Sequence, residues 1–150
     1  MATHTDTFTF DRSFPVSPAR LWHLLTDAEQ RESWGAPGEG TVLETITSDL
    51  RPGGVERHRC GPADTPDFEV ETRWYHLDDG ALAVFTETIE AGGMALGASL
   101  VTYAIGEAGK GSTLSATVAV SSFVGPEMIE EFRDGWTGGM DKLSGLAGAG

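Results

Sequence analysis

Thr7 to Phe14 alternates polar and apolar residues, with Phe8, Phe10 and Phe14 on one parity, which is the period of a half-buried strand. The alternation stops at Ser17-Pro18. A serine hydroxyl suits an N-cap and a proline suits the first helical position, so a helix is predicted from Pro18. Leu21, Trp22, Leu24 and Leu25 form its buried stripe, and Asp27 ends or re-caps it. A short second helix is predicted from Ala28 to Ser33, ahead of Trp34 and the turn-forming Gly35, Pro37, Gly38 and Gly40.

From Thr41 to Phe123 the pattern becomes a series of strand-length stretches: Val42 to Ser48, Gly54 to Cys60, Phe68 to Leu77, Ala81 to Ile89, Ala95 to Ile105 and Ser112 to Ser122. Pro52-Gly53, Gly61-Pro62, Asp78-Asp79-Gly80, Gly92-Gly93 and the stretch 106–111 separate them. Tight connections of this kind favour an antiparallel meander over crossover helices. After Pro126, the residues Ile129, Phe132, Trp136, Met140, Leu143 and Leu146 recur at steps of three and four, which predicts a long amphipathic helix. Glu127, Glu130 and Glu131 stand at its positive end. The predicted architecture is α+β: a curved seven-stranded antiparallel sheet wrapped around a long C-terminal helix, with two short helices after strand 1.

Composition narrows what such a domain can do. The 150 residues suit one domain, taken as 1–150, and 39% hydrophobic content suffices for a core. Ten Lys plus Arg against 23 Asp plus Glu give a formal charge of -13, a surface that repels phosphate backbones and anionic lipid headgroups. Nucleic acid and membranes are therefore not expected partners. The single Cys60 cannot form an internal disulfide, and no signal segment or membrane-length apolar run is visible, so a cytoplasmic location is expected.

Several of these stretches resemble a known family. The Phe-rich first strand, Ser17-Pro18-Ala19-Arg20-Leu21-Trp22, Thr26-Asp27 and Trp34 are similar to the opening of the heat-shock-protein-90 ATPase activator-like family. So are Arg51-Pro52-Gly53-Gly54, Val101-Thr102-Tyr103, Thr113-Leu114, Gly135-Trp136 and Met140-Asp141-Lys142-Leu143. The resemblance runs from about Thr7 to Leu146 and implies a helix-grip fold of the superfamily that also holds polyketide cyclases and lipid-transfer domains. It further implies an apolar ligand between sheet and long helix, and it carries over no catalytic residue. In the eukaryotic chaperone activators this domain is joined to a separate amino-terminal domain that does much of the stimulation. The resemblance thus implies the fold before it implies chaperone activation.

Polar residues that could carry chemistry are few. Glu56, His58 and Cys60 share one parity of their strand, and Thr72, Trp74 and His76 share one parity of the next with Phe68 and Val70. With both parities concave, two imidazoles, a thiol and a carboxylate line one cavity beside Trp74; otherwise His58 and His76 lie near strand ends and meet solvent. Arg57 and Arg59 are expected on the solvent side with Glu69, Glu71 or Glu87. His4 falls in a frayed start and His23 on a helix surface, and no ligand spacing predicts a metal or cofactor. Gly135, Gly138, Gly139 and Gly145 in the long helix imply either close approach to the sheet or room for a ligand.

The function expected from this pattern is binding of a small hydrophobic or amphipathic molecule between the sheet and the C-terminal helix. On the strands, Trp74, Phe85, Val101, Tyr103, Leu114 and Val118 are the expected lining. The helix adds Phe132, Trp136 and Met140, and His58 and His76 are the polar anchors. A cavity of at least roughly 300 Å³ is expected. The alternatives are a protein-interaction module or chaperone cofactor with a protein partner, and a cyclase- or hydrolase-like enzyme using His58 or His76 as base. The chain is expected as a monomer or homodimer.

Overall fold

The computed structural model describes residues 4–36 and 38–148. Its element order is β1 (His4–Phe14), α1 (Pro18–Thr26), α2 (Ala28–Trp34), β2 (Thr41–Thr47), β3 (Val55–Pro62), β4 (Phe68–Asp78), β5 (Leu82–Ala91), β6 (Met94–Ala108), β7 (Gly111–Ser122) and α3 (Glu127–Gly148). Every predicted element is present, most within a residue or two of its expected ends. His4 begins β1, paired with Ser122, where a frayed start was expected. Pro37 of the predicted turn lies outside the described residues.

The helix starts follow from local chemistry. The Ser17 hydroxyl accepts a hydrogen bond from the Arg20 amide at 3.2 Å, and Pro18 follows at the first helical position. Asp27 closes α1 with its backbone N–H and opens α2 with its carboxylate, which accepts from the Gln30 amide at 3.1 Å.

All seven strands form one antiparallel sheet in the order β1-β7-β6-β5-β4-β3-β2. The strands β2 to β7 make the expected meander, and β1 adds beside β7. Because β1 and β2 occupy opposite edges, α1 and α2 must cross one end of the sheet to connect them. There α1 packs against β6 and β7 and α2 against β2, while α3 packs against β1, β7 and α2. The Arg12–Asp141 pair at 2.8 Å ties α3 to β1, and the Lys142 ammonium donates to the Ala36 carbonyl at 2.9 Å beyond α2. The main core lies where β4 to β7 meet α1 and α3, with Leu21, Trp74, Val101, Val118, Met140 and Leu143 all fully buried.

The Arg51-Pro52-Gly53-Gly54 turn has a steric basis. Gly53 sits at φ +82°, and a Cβ on Gly54 would lie 2.0 Å from the Asp49 carbonyl oxygen. The same turn holds β4, since Trp74 N–H donates to Gly54 at 3.0 Å and Gly53 N–H donates back to the Trp74 carbonyl at 2.7 Å. Gly54→Ala is expected to cost at least about 1–3 kcal/mol in urea unfolding, because the obstructing atoms are backbone. Gly53→Asn meets open space but must hold a left-handed backbone, which Asn tolerates better than most residues, and is expected to cost about 1 kcal/mol.

Candidate functional site

Strand register arranges the concave face of the sheet in rows. Trp74, Phe85, Val101, Val118 and Phe8 stand directly opposite one another in turn, forming an apolar row across β4, β5, β6, β7 and β1. The neighbouring row is polar: Glu56 faces Thr72, Thr72 faces Glu87, and Glu87 faces Ser99. Beyond it runs a mixed row of Thr45, His58, Val70, Ile89 and Gly97. An apolar band thus adjoins a polar one beneath α3.

Helix α3 bridges these rows without filling all the space under it. Phe132 rests on the sheet at Gly97, where a Cβ would come within 3.0 Å of the ring and 2.8 Å of the Ser121 carbonyl oxygen. Aromatic contacts climb from sheet to helix, with ring centroids 4.9 Å apart for Trp74–Phe85, 5.2 Å for Phe85–Tyr103 and 6.3 Å for Tyr103–Trp136. Between them lies a cavity of about 230 Å³. Its sheet wall includes Phe85, Glu87, Ile89 and Tyr103, and its helix wall includes Phe132, Gly135, Trp136 and Gly139. Arg31, Trp34, Leu43 and Cys60 close the end beside α2 and β2.

Of the residues expected to contact the ligand, His58, Phe85, Tyr103, Phe132 and Trp136 line this cavity. Trp74, Val101, Leu114, Val118 and Met140 are buried in the adjoining core and stand outside the wall. That half of the interface packs solid, which is why the cavity is smaller than the expected 300 Å³. His76 is a correction: it is exposed, because a register shift between Trp74 and His76 reverses the parity of β4. Glu87 is another. Arg57 pairs on the outer face with Glu71 at 2.7 Å, Glu90 at 3.3 Å and Glu69 at 3.5 Å, while Glu87 faces inward. The inward position was visible in the alternation Phe85, Glu87, Ile89.

Arg31 also escaped sequence reasoning, although it precedes the buried Trp34 by three residues on the same helix face. Its side chain is 8% exposed and donates to Glu56 at 2.5 Å, and Glu56 accepts from the Asp49 amide at 2.9 Å. The guanidinium lies 5.5 Å over the Trp74 ring. Trp34 is fixed by its indole N–H, which donates to the Leu24 carbonyl at 2.7 Å.

Electrostatics follow from burial. His58 is fully buried, and neither ring nitrogen has a hydrogen-bond partner. Desolvation, reinforced by the Arg31 charge and opposed by Glu32, lowers its pKa from 6.5 to about 4, so the ring is neutral near pH 7. Cys60 is pushed up to about 11 by burial, with Glu87 and Asp67 adding to the shift, and stays a thiol. Glu87 keeps some surface where it lines the cavity, yet its enclosure raises its pKa against the opposing charge of Arg31. Tyr103 is likewise raised by burial and remains a neutral phenol. Among the described residues no group of three or more His, Cys, Asp or Glu is placed to hold a metal, and no helix is long and apolar enough to cross a membrane.

Comparison with known proteins agrees with this architecture. The Mll3558 protein from Rhizobium loti is 26% identical with a TM-score of 0.84, over 97% of this chain and 99% of that one. Protein CV1439 from Chromobacterium violaceum is 22% identical with a TM-score of 0.82, over 94% and 96%. Ara h 8.0201 has the same fold at 17% identity, with a TM-score of 0.75 over 98% and 100%. No curated protein matches the chain. The model of the family described as Activator of Hsp90 ATPase homolog 1-like protein matches residues 15–148, so this helix-grip chain belongs to that family.

Proposed function

We propose that the protein binds a small hydrophobic or amphipathic molecule in the cavity between the concave sheet and α3. The observation that carries this reading is a half-open cavity of about 230 Å³, walled by Phe85, Tyr103, Phe132 and Trp136, with the unpartnered His58 ring in the same wall. Burying an imidazole without partners costs about 1–3 kcal/mol for each unsatisfied group, and a ligand with a polar end can recover part of that cost. His58 is poorly suited to base catalysis. Its pKa of about 4 makes it a weak base, and no carboxylate hydrogen-bonds the ring to orient it.

Native mass spectrometry of the freshly purified protein tests the proposal. The expected spectrum contains a small-molecule adduct that is lost under denaturing conditions. The same compound, added back at 100 times its Kd, is expected to stabilise the fold by about 2.7 kcal/mol. For a domain of this size that raises Tm by about 5–10 °C. A spectrum of bare protein, with no stabilisation by any apolar or amphipathic probe, would remove the proposal. The second reading, a chaperone cofactor, is favoured by the family match alone. It would be supported by stimulation of Hsp90 ATP turnover that no small molecule alters.

A further inference from the structure

The polar groups in the cavity wall are not electrically balanced. Arg31 is already neutralised by Glu56 at 2.5 Å. Glu87 lines the same cavity, and no salt bridge reaches it among the described residues. Glu131 adds a second carboxylate from α3, and no further Lys or Arg side chain lines the wall. The aromatic rings of Trp34, Phe85, Tyr103, Phe132 and Trp136 also line it, and aromatic faces attract cations, the more so when water is excluded.

On the binding reading above, we infer that the ligand is a small amphipathic amine. Its ammonium group lies against the Glu87 carboxylate, and its apolar body lies among Phe85, Tyr103, Phe132 and Trp136. With Arg31 held by Glu56, the acidic groups left in the wall are Glu87 and Glu131, and an ammonium at Glu87 supplies the cation that the wall lacks. A carboxylate ligand would instead meet Glu87 and Glu131, and a pure hydrocarbon would leave Glu87 and His58 without partners. The neutral His58 ring carries one acceptor nitrogen that suits a second N–H of the amine. The overall charge of -13 draws the same class of molecule toward the protein.

Calorimetric titration of the full chain at pH 7.5 with 1-naphthylmethylamine, 1-naphthylmethanol and naphthalene-1-carboxylic acid separates the outcomes, because the three probes share one apolar body. The amine is expected to bind at least tenfold more tightly than the alcohol, with the acid weakest. In Glu87→Gln the ratio of amine to alcohol affinity is expected to fall toward one, while Glu87→Asp keeps a preference for the amine. Equal or tighter binding of the alcohol or acid, or an amine preference that survives Glu87→Gln, overturns the assignment and leaves cavity binding intact. If none of the three binds, the amine assignment fails, and the cavity reading falls with it only where native mass spectrometry also shows bare protein.

Discussion

Arg31→Met is expected to destabilise the fold by about 3–5 kcal/mol in urea titration, a large part of the roughly 5–15 kcal/mol that holds a domain together. The reason lies in the residue left behind. Glu56 is 1% exposed, and once its guanidinium partner is gone the Asp49 amide is its one remaining hydrogen-bond donor. The cost should therefore arise from an uncompensated buried carboxylate and only partly from lost contact with Trp74. Replacing both partners separates the two contributions. The double variant Arg31→Met, Glu56→Met is expected to recover most of the loss, because two apolar side chains leave no buried charge. A double variant as unstable as Arg31→Met alone would show that the pair is needed for shape or for the Asp49 turn.

Stability should also fall with acid in a way traceable to His58. Its folded pKa of about 4 lies below the unfolded 6.5, so the unfolded chain binds the extra proton first. The stabilising difference is fully present above about pH 6.5 and is lost progressively as pH falls toward 4. At pH 4.5 the single group accounts for about 2–3 kcal/mol of lost stability relative to pH 7. Carboxylates add their own acid dependence, so the informative quantity is a difference between proteins. His58→Phe, which keeps a flat ring and removes the titrating nitrogens, is expected to lose about 2–3 kcal/mol less than the parent between pH 7 and 4.5. Parallel pH profiles for the two proteins would mean that His58 is solvated or partnered when folded.

Much of the fold was legible because punctuation and periodicity coincide. Ser17-Pro18 fixes the start of α1, paired glycines and prolines bound the strands, and the three-and-four step from Ile129 to Leu146 sets α3. That Glu56, His58 and Cys60 share one face was readable for the same reason, since β3 pairs with β4 without interruption, while which face lies inward stayed open. His76 was not. One extra residue in β4 at Tyr75 shifts register, and nothing in the local sequence announces it. Glu87 was assigned to solvent because it is charged, although its neighbours Phe85 and Ile89 place it with the inward set. Chemistry overrode geometry there. The extent of the cavity was least accessible. Whether Met140 and Val101 close-pack while Phe132 and Trp136 leave a gap depends on volumes contributed by separate elements, which no single periodicity encodes.

The ligand is expected in the space under α3 and on no other surface. A ¹⁵N-resolved NMR titration with 1-naphthylmethylamine tests this placement residue by residue. Saturating shifts are predicted at Phe85, Glu87, Tyr103, Phe132 and Gly135 and at the Trp136 indole N–H, with Arg57, Tyr75 and Leu100 on the outer face unmoved. Shifts confined to that outer face, or scattered over the surface without saturation, would mean that the space under α3 is not the binding site.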